Sequence, residues 1–341
     1  MAVKVGINGL GRIGSLVLRA GLGNRDLDFV AVNDLTDPGV LAYLFEFNSV
    51  HGRFGGTVTS TPDSLVIDGK RIQVFAERDP GKIPWSSVGV DIVIESTGRF
   101  ENKQEASKHL SAGARKVIIT APAKGVSRTI VIGVNEDTYD PEKDDVIAMG
   151  SCTTYALALT ARVLQDHFGI RWGLMNTTHA YTNTQALLDK PVDKKRRSRA
   201  AAINLVPTTT GAAKAIGDVI PELDGKLDGW AIRAPVPDGS ILDLTCILSR
   251  EVTAEEINEV FREAAKNKRL SKYLSFTDKE VVSTDIVGTQ HSAIVDTTLT
   301  MAKGNLAKVF TWYDNEWAFA LRVMNLAAYV AAHLKAPARK R

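Results

Sequence analysis

Residues 4–14 read KVGINGLGRIG, and this stretch decides the fold. Just before and within it, residues 3–7 carry apolar side chains at every second position, which is typical of a strand. A glycine turn follows, and residues 13–20 then have the apolar pattern of a helix. A strand, a tight glycine turn and a helix in this order predict the start of a βαβ unit.

The glycines of this turn, Gly9, Gly11 and Gly14, have the GxGxxG spacing, and Asp34 lies 20 residues beyond Gly14. A helix N-terminus favours a pyrophosphate, and glycine lets the backbone approach it closely. A carboxylate at the end of the next strand can accept the ribose hydroxyls and repels a 2′-phosphate. The pattern predicts a dinucleotide site that prefers NAD; the alternative is a turn that only tightens strand-to-helix packing.

Strand-like and helical runs alternate through the first half of the chain. The predicted strands are Phe29–Val32, Val90–Glu95, Lys116–Thr120, Ile130–Val134 and Val146–Ala148, with a helix over Lys103–Ala112. Such alternation is typical of parallel sheets covered by helices on both faces. We therefore expect the α/β class, with a Rossmann domain over residues 1–150 whose doubly wound sheet is mostly parallel.

The pattern changes after residue 150 to longer strands and fewer helices. The predicted elements are helices over Thr153–Phe168 and 253–268 and strands over Gly173–His179, Gly229–Ala234, Ser240–Leu248 and Ala307–Trp312. We expect an α+β catalytic domain with an antiparallel sheet over residues 151–316. A terminal helix over 317–335 is expected to pack back on the first domain.

Composition narrows the class of protein. The 341 residues suit two domains, with 44% hydrophobic and 24% charged residues as in soluble globular proteins. A net charge of +3 predicts no nucleic-acid partner, and no apolar run is long enough to predict a membrane span. Two cysteines and no apolar leader favour a cytoplasmic protein, and no metal site is indicated.

One cysteine has the setting of a nucleophile. Cys152 stands in GSCTT, between a strand and a helix, where a helix N-terminus favours a thiolate. Cys246 stands in an apolar run and is expected to be a buried, inert side chain. His179 ends a strand in NTTHAYT and is a candidate base. The other histidines are expected to be structural: His51, His109, His167, His291 and His333.

Blocks of sequence along the whole chain resemble one family. They are KVGINGLGRIG, NDLTDP, SVHGRF, ESTGRF, SCTT, HAYTNTQ, VPTTTGAAKAIG and WYDNEW. Together they resemble the phosphorylating glyceraldehyde-3-phosphate dehydrogenase family. The resemblance implies that Cys152 attacks the aldehyde of glyceraldehyde 3-phosphate, that His179 is the base, and that inorganic phosphate releases a thioester after hydride transfer to NAD.

The resemblance also implies the binding residues. Thr182 and Arg233 would hold the substrate phosphate, and Ser151, Thr153, Arg197, Thr210 and Gly211 the attacking phosphate. The cofactor positions would be Asn8, Gly9, Gly11, Arg12, Ile13, Gly14, Asp34, Arg78, Thr97, Thr120 and Asn315. Without the family, the KKRRSR run at 194–199 is typical of a solvated charge patch.

The resemblance also implies an assembly state, and it is incomplete at a few positions. Residues 183–202 resemble a loop that packs on a neighbouring subunit in this family, which implies a homotetramer. Lys190 replaces a residue that is apolar in many NAD-using members, and this leaves NADP use open. Tyr155 and Phe319 stand where the family usually has asparagine and tyrosine. The alternatives are a dehydrogenase of erythrose 4-phosphate and a noncatalytic, dinucleotide-binding regulatory homologue.

Overall fold

A computed structural model describes residues 2–334 and divides them into two compact units. The first unit contains residues 2–132, 137–149 and 320–334, and the second contains 133–136 and 150–319. The terminal helix runs over Trp317–His333, so most of it belongs to the first unit. Residue 335, the predicted end of that helix, lies outside the described residues.

The first unit contains eleven strands and five complete helices within the described residues. The strands are β1 (Val3–Asn8), β2 (Leu27–Asn33), β3 (Phe47–Asn48), β4 (Gly52–Arg53), β5 (Val58–Thr61), β6 (Ser64–Ile67), β7 (Lys70–Phe75), β8 (Ile92–Glu95), β9 (Lys116–Ile119), β10 (Arg128–Thr129) and β11 (Val146–Ala148). The helices are α1 (Arg12–Gly21), α2 (Pro38–Glu46), α3 (Trp85–Val88), α4 (Lys103–Ala106) and α5 (Lys108–Ser111).

The large sheet of this unit has the order β10-β11-β9-β8-β1-β2-β7-β6-β5. Strands from β10 to β7 run parallel, and β6 and β5 extend the edge as antiparallel strands. The chain starts at β1, builds outward through β2 and β7, and returns to the other side of β1 at β8. This is the Rossmann order, and it places a topological switch point between the carboxyl ends of β1 and β8.

The central strands are buried because their sequences are apolar on both faces. In β8 the run Ile92–Ile94 is fully buried, as are Val5 and Ile7 of β1. Helices cover both faces of a parallel sheet, so continuous apolar runs suit these strands better than alternating ones. The predicted α/β class and the mostly parallel Rossmann sheet are confirmed.

The second unit continues the chain with seven strands and four helices within the described residues. They are α6 (Cys152–Phe168), β12 (Ile170–Ala180), β13 (Val206–Thr209), α7 (Ala212–Val219), β14 (Leu227–Ala234), β15 (Ser240–Leu248), α8 (Ala254–Ala264), β16 (Leu274–Thr277), α9 (Ser283–Ile286), β17 (Ala293–Lys303) and β18 (Leu306–Tyr313). The helix shared with the first unit is α10 (Trp317–His333).

The sheet of this unit is mixed, which corrects the expectation of an antiparallel one. Its order is β13-β14-β12-β15-β18-β17-β16, and the pairs β12–β14 and β16–β17 are parallel. The chain between β12 and β14 is long enough for the crossover that parallel neighbours need. Apolar spacing reveals a strand but not its direction, so the sequence pattern could not distinguish the two pairings.

Two predicted elements differ from the observed ones. The strand predicted over Ile130–Val134 is wrong, since pairing ends at Thr129 and Gly133 turns the chain with a φ of 96°. Ile130 and Val131 are fully buried, so an apolar run marked the core without marking a strand. The helix predicted over Lys103–Ala112 is two short helices, because the Ser107 hydroxyl donates to the carbonyl of Lys103 at their junction.

Candidate active site

Cys152 is the first residue of α6, and the sequence around it fixes that helix end. Ser151 is the N-cap and accepts a hydrogen bond from the N–H of Thr154, while the Thr154 hydroxyl accepts from the N–H of Ser151. This reciprocal capping box satisfies two backbone donors at the start of the helix. Gly150 has a φ of 67°, which turns the chain from β11 into the helix. The thiol is thereby held at a rigid helix start.

His179 approaches the thiol from the end of β12. Its Nε2 lies 3.4 Å from Sγ of Cys152, and its Nδ1 lies 2.7 Å from the carbonyl oxygen of Ala180. A carbonyl only accepts, so Nδ1 carries the ring proton and Nε2 presents a lone pair to the sulfur. The sequence placed these residues in one site only through resemblance; the structure brings them into hydrogen-bond contact.

Arg233 lies beside His179 because β14 pairs in parallel with β12, with these two residues in register. Its Nη1 donates to the Ala180 carbonyl at 2.8 Å and also lies 2.8 Å from Nδ1 of His179. Both Nδ1–H and Nη1–H can donate to this one carbonyl, so the contact between the two nitrogens requires no hydrogen bond between them. A fixed cation therefore flanks the imidazole on the side opposite the sulfur.

Burial sets the charge of this group of residues. It raises the pKa of Cys152 to about 11, although Arg233 and the N–H of Thr153 act in the opposite direction. Burial and then the charge of Arg233 lower the pKa of His179 to about 3. The expected resting thiolate is therefore not what this environment favours. Neither group is stable as an isolated ion, so the thiolate forms when the proton passes to Nε2.

Tyr313 connects the helix that carries Cys152 to β12 through a chain of hydrogen-bonded hydroxyls. Thr177 donates to the carbonyl of Ile241 and lies 2.7 Å from the Tyr313 hydroxyl, which lies 2.9 Å from that of Thr153. Since Thr177 donates onward, it accepts from Tyr313, and Tyr313 in turn accepts from Thr153. The Thr153 hydroxyl is thus the first donor of a chain that ends at the Ile241 carbonyl.

A second cationic centre is built around Arg197. Its guanidinium donates to the hydroxyls of Thr208 and Thr184 and to the carbonyl of Thr209. Lys194 donates to the Thr209 hydroxyl at 2.5 Å, so two cations meet at one threonine. The hydrogen-bond partners of Arg197, Lys194 and Arg233 are all neutral groups among the described residues. Three cations without a carboxylate create a strong site for an anion.

The remaining phosphate candidates surround these cations in sequence and structure. Thr182 pairs its hydroxyl with that of Thr184, which also accepts from Arg197. Thr210 accepts from the N–H of Ala212, and Gly211 is the N-cap of α7 with open space where a side chain would stand. Thr184 thus connects the predicted positions Thr182 and Arg197, whereas the Thr210 hydroxyl caps the first turn of α7.

Asn315 belongs to the same unit as the thiol. Its Oδ1 accepts from the hydroxyl of Ser240 at 2.6 Å, and that hydroxyl accepts from the N–H of Ala180. Its own N–H donates to the buried carboxyl of Asp238. The Ser240 contact thus fixes the Oδ1 end of the amide and the orientation of its Nδ2. Burial beside Asp314 and Glu316 raises the pKa of Asp238 to about 8.

The glycine turn of the first unit has the shape of a phosphate cradle. Gly9 has a φ of 92°, and a Cβ on Gly14 would lie 2.0 Å from the carbonyl oxygen of Gly9. Gly11 is the N-cap of α1, offers no side-chain acceptor to the first turn, and faces open space. No side chain caps the first turn of α1, and a helix N-terminus of this kind favours an anion. Arg12 and Ile13 follow directly as the first residues of α1.

The other cofactor candidates end neighbouring strands. Asp34 follows β2, and its carboxylate accepts from the N–H groups of Leu10 and Thr36. This leaves the carboxylate fixed beside the glycine turn, as a ribose acceptor requires. Thr97 and Thr120 follow β8 and β9, with both backbone and hydroxyl of Thr120 donating to the Glu95 carbonyl. Arg78 lies exposed after β7.

Several residues that contact the predicted site residues, directly or through one neighbour, were not identified from the sequence. They are Lys194, Thr184, Thr208, Thr209, Ser240, Tyr313, Glu95 and His109. Lys194 was hidden in a basic run, and the others are polar residues of ordinary appearance. One signal was present: Glu95 is an acidic residue directly after the apolar run Ile92–Ile94, where a buried charge needs a reason.

Comparison with known proteins identifies the family of this chain. Residues 3–103 match the model of the glyceraldehyde 3-phosphate dehydrogenase NAD binding domain, and residues 151–315 match that of the C-terminal domain. The chain belongs to the glyceraldehyde-3-phosphate dehydrogenase family. The resemblance stated from the sequence blocks is thus confirmed.

Individual relatives of this glyceraldehyde-3-phosphate dehydrogenase family match almost end to end. The chain is 52% identical to glyceraldehyde-3-phosphate dehydrogenase 1 of Bacillus subtilis over 332 residues, which cover 97% of this chain and 99% of that protein. It is 52% identical over 333 residues to the Geobacillus stearothermophilus protein named glyceraldehyde-3-phosphate dehydrogenase, with the same coverage. A Streptomyces avermitilis protein, glyceraldehyde-3-phosphate dehydrogenase 2, is 50% identical over 336 residues, covering 98% of this chain and all of that protein.

The two departures from the glyceraldehyde-3-phosphate dehydrogenase pattern lie against each other. Tyr155 is fully buried in α6, and its ring meets that of Phe319 edge to face, with centroids 6.1 Å apart. Aromatic pairs of this geometry stabilise beyond their buried area. An aromatic contact thus occupies the two positions at which the resemblance implied asparagine and tyrosine.

Proposed function

We propose that this chain oxidises the aldehyde of glyceraldehyde 3-phosphate and phosphorylates the resulting acyl group, with NAD as the hydride acceptor. The observation that carries the proposal is the 3.4 Å contact between Sγ of Cys152 and the unprotonated Nε2 of His179. An acceptor lone pair directed at a thiol is the arrangement that activates a sulfur nucleophile. The match to proteins named glyceraldehyde-3-phosphate dehydrogenase, which covers 97% of the chain, supports the same reaction.

The chain's own groups account for each covalent step. Nε2 of His179 takes the thiol proton while sulfur attacks the aldehyde carbon, and returning that proton to the oxygen gives a thiohemiacetal. When hydride leaves the carbon, Nε2 takes the hydroxyl proton and a thioester remains. Phosphate oxygen then attacks the thioester carbon, the carbon–sulfur bond breaks as the acyl phosphate leaves, and the departing thiolate takes back the proton held on Nε2. One imidazole serves every proton transfer.

Phosphate binding follows from the uncompensated cations. We assign Arg233 and Thr182 to the substrate phosphate, and Arg197, Ser151, Thr210, Gly211 and the N–H of Thr153 to inorganic phosphate. Arg197 and Lys194 meet at Thr209, and Arg233 flanks His179, so anions neutralise charge that no carboxylate offsets. A bound dianion next to these arginines also removes the charge that opposes proton uptake by His179.

The residues of the first unit fit NAD. The open side of Gly11, the uncapped first turn of α1 and the fixed carboxylate of Asp34 suit its pyrophosphate and ribose. When bound, NAD supplies the acceptor for the hydride. We propose that the first unit binds this cofactor, that the second performs the chemistry, and that Asn315 holds the nicotinamide amide through Nδ2. Asp34 favours NAD over NADP despite Lys190, which is exposed.

We also propose a homotetramer in the cytoplasm. The outer face of the second sheet exposes large apolar side chains, including Trp172, Leu174 and Trp230, each more than half exposed. Large exposed apolar side chains on two paired strands are typical of a surface buried by another subunit. Both cysteines are free, and a nucleophilic thiol needs a reducing compartment. Among the described residues, no helix is long and apolar enough to cross a membrane.

The test is the rate of NADH formation from glyceraldehyde 3-phosphate with and without inorganic phosphate. We expect sustained turnover only with phosphate, a far lower rate with NADP, and loss of activity in Cys152→Ser. Cys246→Ser is the matched control and keeps the wild-type rate, because that thiol is buried in the sheet. Phosphate-independent turnover would contradict the phosphorylating assignment, and faster turnover with erythrose 4-phosphate would reassign the substrate.

A further inference from the structure

Glu95 is a buried acid at the end of β8 with four hydrogen-bond donors. Its Oε2 accepts from Nδ2 of Asn8 at 2.6 Å and faces Nε2 of His109 at 3.0 Å. Its Oε1 accepts from the N–H and the hydroxyl of Thr97 at 2.9 and 2.5 Å. The side chain is 1% exposed, so these donors replace water entirely. A carboxylate satisfied on both oxygens is a built network rather than a stray charge.

The tautomer of His109 follows from its other partner. Trp85 Nε1 lies 3.0 Å from Nδ1 of His109, and an indole N–H can only donate. Nδ1 is therefore the acceptor, and Nε2 carries the proton that is donated to Glu95. The 3.5 Å approach of Asn8 Nδ2 to the same Nε2 is then a contact between two donors that share Oε2. Trp85 and His109 are both fully buried, so the direction of this relay is fixed.

The network sits at the topological switch point of the sheet. Asn8 and Glu95 are opposite each other at the carboxyl ends of β1 and β8, where dinucleotides bind in this fold. Glu95 also holds Thr97, and a Cβ on Gly9 would lie 2.9 Å from the Thr97 nitrogen. The glycine turn is therefore packed directly against a residue that Glu95 anchors. Glu95 therefore contacts Asn8 and Thr97 directly, and it contacts Gly9 through Thr97.

We propose that Glu95 and His109 are positioning residues that set the geometry of the dinucleotide site and thereby its affinity for NAD. Neither side chain contacts the cofactor in this account; they act through Asn8, Thr97 and the glycine turn. This inference rests on the proposed use of NAD, and it changes the expectation that His109 is merely structural. Preorganised binding loops gain affinity because less ordering is required when the ligand binds.

The test compares His109→Leu with His109→Gln in the full-length protein. Leucine removes the donor to Glu95, whereas glutamine can supply an amide N–H in its place. We expect the Kd for NAD, measured by titration calorimetry without substrate, to rise about tenfold or more in His109→Leu and to recover in large part in His109→Gln. The KM for NAD should follow, and the KM for glyceraldehyde 3-phosphate should not change.

A matched control separates positioning from stability. Val117→Ala removes core volume from the adjacent β9 but no hydrogen-bonding group of the network, so it should lower the free energy of unfolding and leave the Kd for NAD unchanged. If His109→Leu does not fold, Trp85→Phe removes the N–H that fixes the tautomer and should weaken NAD binding in the same direction. An unchanged Kd in a folded His109→Leu or Trp85→Phe protein would overturn the proposal. The Kd for NAD is measured without turnover. The comparison of variants therefore tests this proposal even if the chain lacks the proposed activity.

Discussion

The position of one proton on His179 determines what the neighbouring sulfur can do. The Ala180 carbonyl holds that proton on Nδ1, so Nε2 is free to take the proton of Cys152. Burial opposes each charge alone, but proton transfer creates the two charges in contact, where they attract. Nucleophilicity at neutral pH is thus a property of the pair.

Replacing His179 with glutamine should shift the reactivity of Cys152 toward alkaline pH. Burial raises the pKa of this thiol to about 11, and a raised pKa means less thiolate at every pH below it. Without its proton acceptor, the Cys152 thiol ionises according to that raised pKa, so its alkylation slows at pH 7 and accelerates as the pH rises. Iodoacetamide labelling from pH 6 to 10, followed by mass spectrometry, measures this in a Cys246→Ser background. An unchanged rate at pH 7 would show that His179 is not the acceptor.

Arg197 should control the response to inorganic phosphate. Its guanidinium is oriented by three oxygens of Thr184, Thr208 and Thr209. Loss of a charged hydrogen bond removes about 1.5–3 kcal/mol, so Arg197→Gln should raise the KM for phosphate about tenfold to a hundredfold. The KM for NAD should stay constant.

The exposed neighbour Arg196 provides the control for this prediction. Arg196→Gln removes the same charge from the same loop, and it should leave the KM for phosphate near the wild-type value, since exposed charges are screened. Steady-state kinetics at varied phosphate would refute the assignment of Arg197 if the two variants behaved alike.

Among elements, α6 and the start of α10 meet through the two residues that depart from the family pattern. Tyr155→Asn leaves a cavity and an amide in a buried site, and Phe319→Tyr brings a hydroxyl into the same packing. Each single change should lower the free energy of unfolding. In the double variant the amide and hydroxyl can bond to each other, so we expect a favourable coupling of about 1 kcal/mol.

Urea unfolding of the wild type, both single variants and the double variant measures this coupling. Strictly additive losses would show that the two positions were replaced independently. Such additivity would also remove the structural reason for treating Tyr155 and Phe319 as one feature.

The elements differ in how far the sequence predicts them. The first βαβ unit was predictable because glycine spacing, Asp34 and alternating apolar residues all indicate the same structure. The strand predicted over Ile130–Val134 was wrong because burial and strand pairing give the same apolar signal. The pairing direction of β12 and β14 depends on the path of the chain between them, which local patterns do not describe.

The site was predictable only in part, for a related reason. Cys152 at a helix start has a local signal, whereas His179 gained its role from the family resemblance. Glu95, His109 and Trp85 become one network only when distant segments fold together, so no spacing rule connects them. The thiolate expected at Cys152 was derived from the helix end alone, and burial of the whole site outweighs that effect.

For the whole molecule, the exposed face of the second sheet should decide the assembly state. Trp230→Glu places a charge among these exposed apolar side chains and should lower the measured mass from four times 37.0 kDa to that of a smaller species. Light scattering after size-exclusion chromatography gives the mass. Val282→Glu introduces the same charge at another exposed apolar residue and should leave the mass unchanged. A wild-type monomer, or a Trp230→Glu protein of unchanged mass, would contradict the proposed interface.

The central claim is that Cys152 carries the acyl group between oxidation and phosphorylation. Mass spectrometry of the protein mixed with glyceraldehyde 3-phosphate and NAD, but without inorganic phosphate, tests it most directly. The account predicts a covalent acyl adduct on the peptide containing Cys152, one equivalent of NADH for each adduct, and loss of the adduct when phosphate is added. NADH formation with no adduct on Cys152, or an adduct that phosphate does not discharge, would contradict it.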